Sequence, residues 1–142
     1  GRQGVARVGL LDFQLGQLGQ PGYDLVSLLQ DARRDVRSET ETAMVARFAT
    51  ATGARLPEFQ ARYATLGTQR ALRILGVFAR LCVVAAKPQY LRLIPRVWSQ
   101  LQRNLAHPAL ADLRHICDQI LPAPTPDLLD KIASQCPHTP SR

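Results

Sequence analysis

Leu10-Leu11-Asp12-Phe13-Gln14-Leu15-Gly16-Gln17-Leu18-Gly19-Gln20-Pro21-Gly22-Tyr23-Asp24-Leu25-Val26-Ser27-Leu28-Leu29-Gln30-Asp31 is the stretch from which the fold is read. The run that leads into it is apolar from Val5 and stops at Asp12, which predicts a short strand, with Gly4 able to turn it from a hairpin arm. Gly16, Gly19, Pro21 and Gly22 then crowd together, and that density predicts a loop. The glycines alone are a weak phosphate-loop signal, because no Lys-Ser/Thr pair follows them. Beyond the loop, Leu25, Leu28, Leu29 and Ala32 recur at helical spacing. Asp24 sits near the start, where the helix dipole favours an anion. The pattern predicts a helix over Tyr23–Arg34. From these residues alone two readings of Asp12 stand: a carboxylate that satisfies loop amides after a strand, or one that a strand end presents for chemistry.

Outward from this stretch the chain reads as helix after helix. Ser38 and Glu41 fit an S-x-x-E capping box, and the helix they open runs through Ala43–Thr52 to a stop at Gly53. Pro57 suits the first turn of a longer helix, Glu58 to about Ala86. Its apolar set (Phe59, Tyr63, Leu66, Leu72, Leu75, Phe78, Leu81, Cys82) covers several faces in the second half, which predicts a central position. Pro88 ends it. Tyr90–Leu105 is a further helix, with Pro95 giving an early kink or a late start. Pro108 opens another, and Pro122, Pro124 and Pro126 stiffen a connector. Thr125 can cap a last short helix from Pro126 to about Ser134, and 137–142 is expected to fray. No internal repeat stands out. The expected fold class is mainly α: a short N-terminal strand or hairpin followed by about six helices.

Composition narrows the function classes. A length of 142 residues suits one core, and 46% hydrophobic with 20% charged residues excludes a disordered chain. No run of about 18 apolar residues is long enough to span a membrane. The start, Gly1 to Val8, is too short and polar for a signal peptide, and it lacks Met, a hint that it is not a natural N-terminus. Cys82, Cys117 and Cys136 are odd in number and widely spaced, without CxxC, and read as buried free thiols in a reducing cytoplasm. His115 and Cys117 are two apart and would face different sides of a helix, so no metal site is expected there. No G-x-S-x-G elbow or Ser/His/Asp order supports a hydrolase.

The net charge is +7, and 16 of the 18 basic residues are Arg. Between Phe59 and Ala111 there is no Asp or Glu, yet Arg62, Arg70, Arg73, Arg80, Lys87, Arg92, Arg96 and Arg103 all fall there. Such a stretch fits phosphates, nucleic acid, an acidic partner, or simply a solvated face. Nucleic acid is not the expectation, since no exposed aromatics or groove-fitting motif accompany the charge.

A carboxylate at the exit of an apolar strand, followed by Phe, is how kinase-like folds present a magnesium ligand. Asp12-Phe13-Gln14, the Gly/Pro loop and Tyr23-Asp24-Leu25-Val26-Ser27-Leu28-Leu29-Gln30-Asp31 resemble the aminoglycoside phosphotransferase family, closest to its bacterial branch of N-acetylmuramate/N-acetylglucosamine anomeric sugar kinases. The step from the first Asp to the Tyr has the same length there. Gln69–Leu81 (Q-R-A-L-R-I-L-G-V-F-A-R-L) and Tyr90–Val97 (Y-L-R-L-I-P-R-V) are similar to that branch too, so the resemblance covers most of the chain, from about Val8 to Leu129. It implies a cytoplasmic kinase that moves the γ-phosphoryl group of ATP to a sugar hydroxyl with Mg²⁺. A small-molecule sugar and a nucleotide would be its partners, with no membrane and no nucleic acid. It also implies Asp12 as the cofactor-binding and metal residue, and Asp24 as a structural anchor hydrogen-bonded to the catalytic loop. Leu15 departs from the acidic residue that the branch often carries after D-F-Q.

The same resemblance implies parts that the 142 residues lack: a Gly-rich lid, a strand Lys for the phosphates, and an H-x-D-x-x-x-x-N loop with the base. No H-x-D occurs, and the only Asn, Asn104, lies mid-helix far downstream. The chain is therefore expected to be the C-terminal part of the helical lobe of an α+β kinase-like fold, without activity by itself. The face left by the catalytic loop would then be an apolar patch near Val8, Leu10, Leu25 and Leu29. The alternative is a non-catalytic basic helical module that binds an acidic partner or nucleic acid through Phe59–Ala111.

Overall fold

The computed structural model describes residues 3–4 and 18–137. The expected strand over Val5–Leu11, the Asp12-Phe13-Gln14 motif, Val8 and Leu10 lie outside the described residues, as does nearly all of the 137–142 tail. Among the described residues the architecture is helical, with six α-helices and no strand: α1 (Tyr23–Leu29), α2 (Ser38–Thr52), α3 (Leu56–Val83), α4 (Ile94–Leu105), α5 (Ala111–Ile120) and α6 (Pro126–Ser134).

α3 is the axis. Its 28 residues extend about 42 Å at 1.5 Å each. The N-terminal half packs against α1 and α2, and the C-terminal half against α4 and α6. Two apolar clusters result. One joins Val26, Leu29, Val45, Ala49, Phe59 and Tyr63. The other joins Ala71, Phe78, Cys82, Leu91, Ile94, Val97, Leu101, Leu105 and Cys117. Between them along α3 lie Gly67 and Thr68, both buried, where the neighbouring helices contribute Gln30 and Asn104. The fold therefore has an apolar–polar–apolar order along one helix.

Local chemistry explains the boundaries. Gly22 precedes α1 with φ of 96°, a conformation that costs any residue with a Cβ, and a Cβ there would come 2.9 Å from the Phe59 ring. Gly53 closes α2 in the left-handed region. α3 stops at Val83, earlier than Pro88 alone suggests. The amides of Ala85 and Lys87 both return to the Leu81 carbonyl, and Ala86 takes φ of 51° to allow it. Pro88 then opens a 3-10 turn, Pro88–Leu93, and Pro95 falls in the first turn of α4, so its effect is a late start without a kink. Thr125 caps α6 as expected, its hydroxyl accepting from the Leu128 amide at 3.3 Å.

Four expectations need correction. The first helix ends at Leu29 and does not reach Arg34: Gln30 leaves helical geometry, and Asp31 then accepts from the Arg33 amide at 2.9 Å, which curls the chain into a turn. The Ser38–Glu41 capping box does not form. Arg37 is the cap residue, Ser38 donates to Glu39, and Glu41 is drawn inward to other partners. The expected apolar patch is also displaced: Leu29 is buried and Leu25 half-buried under α2 and α3, whereas Leu28 is 60% exposed.

The fourth correction concerns the thiols. Cys82, at the end of α3, is disulfide-bonded to Cys136, just past α6, with their Cα atoms 5.2 Å apart. Only Cys117 is a free, buried thiol, which burial first and Asp118 second push above the ordinary value. The sequence separation of 54 hid the pairing, because it arises from α6 folding back on α3. Thiol counting in denaturant without reductant is expected to find one reactive cysteine per chain, and three after reduction; three in both conditions would contradict the bond.

Candidate functional site

The structure gathers polar side chains where α1, α2, α3 and α4 meet. Gln30 and Asn104 lie 74 residues apart in the chain and pair their amides reciprocally. Gln30 Nε2 donates to Asn104 Oδ1 at 3.0 Å, and Asn104 Nδ2 donates to Gln30 Oε1 at 2.9 Å. Both are buried, at 3% and 6% exposure, so leaving either unpaired would carry a full desolvation cost. Gly67 on α3 makes room, since a Cβ there would run into the Asn104 amide and come 2.8 Å from Gln30 Oε1.

Glu41 extends this network. Its Oε1 accepts from Gln30 Nε2 and from the Tyr63 hydroxyl, each at 2.8 Å, and its Oε2 accepts from Arg103 at 3.4 Å. Burial first, and the Glu41 carboxylate second, push the Tyr63 phenol far up, so Tyr63 stays a neutral donor. Glu41, with three donors on it, is positioned as a hub. Gln30, Glu41, Tyr63, Arg103, Asn104 and His107 line an open cleft of about 450 Å³.

Arginines fasten the turn after α1. Arg70 donates to the Ser27 hydroxyl at 3.1 Å and to the Gln30 carbonyl at 3.1 Å. Arg96 grips Asp35 through Nε and Nη2 at 2.7 and 2.8 Å, and donates from Nη1 to the Ala32 carbonyl at 2.9 Å. Gln100 donates to the Asp31 carbonyl at 3.3 Å. Burial raises the Asp31 carboxyl, but the Arg33 amide and Arg34 outweigh it and hold the group below its ordinary value. Of the eight basic residues between Phe59 and Ala111, Arg70, Arg96 and Arg103 thus make contacts inside the fold. A second cleft, of about 550 Å³, is lined by Arg33, Gln89, Tyr90, Arg92, Leu93 and Arg96.

Of the two residues expected to serve phosphoryl transfer, Asp12 lies outside the described residues. Asp24 occupies the first turn of α1 and is exposed, away from the amide network. Among the described residues no three His, Cys, Asp or Glu side chains converge. Sequence reasoning missed the roles of Gln30, Glu41, Tyr63 and Asn104. Two signals were present: a Gly in the middle of a long helix, which marks a close approach, and an Asn among the apolar positions Leu101 and Leu105.

Comparisons with known proteins give relatives of one kind. No family profile matches the chain. Curated relatives do. The chain is 45% identical over 129 residues to a protein of Caulobacter vibrioides, covering 87% of this chain and 34% of that protein. It is 39% identical over 104 residues to one of Neisseria meningitidis serogroup B, covering 68% and 31%. It is 35% identical over 113 residues to one of Pseudomonas aeruginosa, covering 74% and 33%. By homology over most of its length the chain is related to one part of each of these proteins. These three relatives are each named N-acetylmuramate/N-acetylglucosamine kinase. The chain spans about a third of the length of the relatives it matches.

Asn104→Ala strands the Gln30 amide and is expected to cost about 1–3 kcal/mol of stability. The double variant Gln30→Ala/Asn104→Ala should cost clearly less than the two single changes together, because neither partner is left behind. Additive losses in denaturant unfolding would show that the pair is not coupled.

Proposed function

We propose that these residues form the helical part of an ATP-dependent kinase of the aminoglycoside phosphotransferase type. It transfers the γ-phosphoryl group to a sugar hydroxyl, the anomeric hydroxyl of N-acetylmuramate or N-acetylglucosamine, within cytoplasmic cell-wall recycling. The observation that carries this reading is 45% identity over 87% of the chain to a protein of that name. The D-F-Q motif and the Tyr23–Asp31 stretch support it, and among the described residues no helix is long and apolar enough to cross a membrane.

In this reading Asp12 holds Mg²⁺, a hard cation that takes carboxylate oxygens and offsets the charge of the nucleotide phosphates. Asp24 keeps its backbone turn in register with the catalytic loop and does not react. The base, the phosphate-holding Lys and the second metal ligand come from chain outside the 142 residues, because no H-x-D loop occurs within them. The Gln30–Asn104 pair fixes α1, which follows the D-F-Q motif in the chain, against α3 and α4. The helices therefore act by holding the geometry on which in-line transfer depends.

The test uses full-length protein with γ-labelled ATP and each sugar. Transfer to N-acetylmuramate or N-acetylglucosamine is expected, with loss of roughly 10³-fold or more in Asp12→Asn at unchanged sugar affinity. The 142-residue polypeptide should transfer nothing. Full activity in Asp12→Asn, or transfer by the 142 residues alone, would overturn the assignment.

A further inference from the structure

We propose that the cleft lined by Arg33, Arg92 and Arg96 is a subsite for the carboxylate of an acidic acceptor sugar, and that Arg33 and Arg92 determine acceptor specificity. The inference rests on the sugar-kinase reading above and goes beyond it by naming the group that is read.

Three arginines line one cleft of about 550 Å³ that has no carboxylate in its lining. Arg96 is neutralised by Asp35, which it meets with two nitrogens at 2.7 and 2.8 Å, and its third contact is the Ala32 carbonyl. It shapes the turn after α1. Asp31 is taken by Arg34 at 3.2 Å and by the Arg33 backbone amide, and the Arg33 charge helps to lower its carboxyl. Neither Arg33 nor Arg92 has an ion-pair partner among the described residues. Two arginines thus share a concave surface without an ion-pair partner of their own, and an anion bound between them relieves their mutual repulsion.

The walls favour an organic ligand with a planar anionic end. Tyr90 is half-buried and packed on Phe78 with ring centroids 5.3 Å apart, which gives a fixed aromatic wall. Leu93 adds apolar surface, and Gln89 offers an amide donor. The guanidinium fork matches the two oxygens of a carboxylate, and fixed backbone on both sides limits the entropy lost on binding. Arg33 sits in the turn that Asp31 and Arg96 hold, and Arg92 in the 3-10 turn between α3 and α4. The two acceptors differ by the group at issue: N-acetylmuramate carries a lactyl ether that ends in a carboxylate, and N-acetylglucosamine does not.

The experiment compares the two sugars in full-length wild type, Arg33→Ala, Arg92→Ala and Arg92→Lys. The ratio of kcat/KM for N-acetylmuramate to that for N-acetylglucosamine is expected to fall at least about tenfold in each alanine variant, mostly through KM, and to recover in part in Arg92→Lys. An unchanged ratio overturns the proposal. So does a rise in KM for ATP that is equal with both sugars, which would mean that the cleft meets phosphate. If wild type phosphorylates neither sugar, the kinase reading has failed. The subsite is then judged by calorimetric titration of N-acetylmuramate and of D-lactate into wild type and the Arg33→Ala/Arg92→Ala variant. Saturable binding lost in the variant upholds it, and no binding to wild type overturns it.

Discussion

The reciprocal amide pair of Gln30 and Asn104 is the constraint around which the described helices are arranged. Two amides buried in the same place satisfy each other in one relative orientation only, so the pair sets α1, which Gln30 terminates, against α4, which carries Asn104. Gly67 lets both side chains reach across α3. The apolar clusters on either side drive collapse but tolerate sliding, as apolar surface does. A buried pair of hydrogen bonds does not tolerate it, since a shift of one residue would leave several polar atoms without partners.

Other features follow from this choice. Glu41 turns inward because Gln30 and Tyr63 present donors to it, and α2 begins on Arg37 without a side-chain cap as a result. The chain after Gln30 leaves the helix and is fastened by Arg70, Gln100 and Arg96 through backbone carbonyls. These three come from α3 and α4, so the same two helices that bury the amides also fix the turn. That turn carries Arg33, which lines the second cleft. A stability device and a candidate recognition surface thus share one piece of backbone.

The basic stretch from Phe59 to Ala111 divides by role when seen in three dimensions. Arg70, Arg96 and Arg103 reach inward, to α1, the following turn and α2. Arg62, Arg73, Arg80, Lys87 and Arg92 remain exposed. Part of the charge that composition alone attributes to a single face is structural cement between elements that are distant in sequence.

Much of the helical order was legible from the chain itself. The 3–4 spacing of apolar residues marked α1 and α3, Gly53 and Thr125 marked an end and a start, and D-F-Q with Y-D-L-V-S-L-L-Q-D pointed to the kinases for which the relatives are named. These are local signals, written within one or two turns of backbone, and local signals survive in a linear string. The Gln30–Asn104 pair, the inward turn of Glu41, the union of Cys82 with Cys136 and the convergence of Arg33 with Arg92 were not legible. Each joins residues tens of positions apart, and which polar group meets which is settled only when packing of α1, α2, α4 and α6 on α3 brings them within hydrogen-bonding or bonding distance.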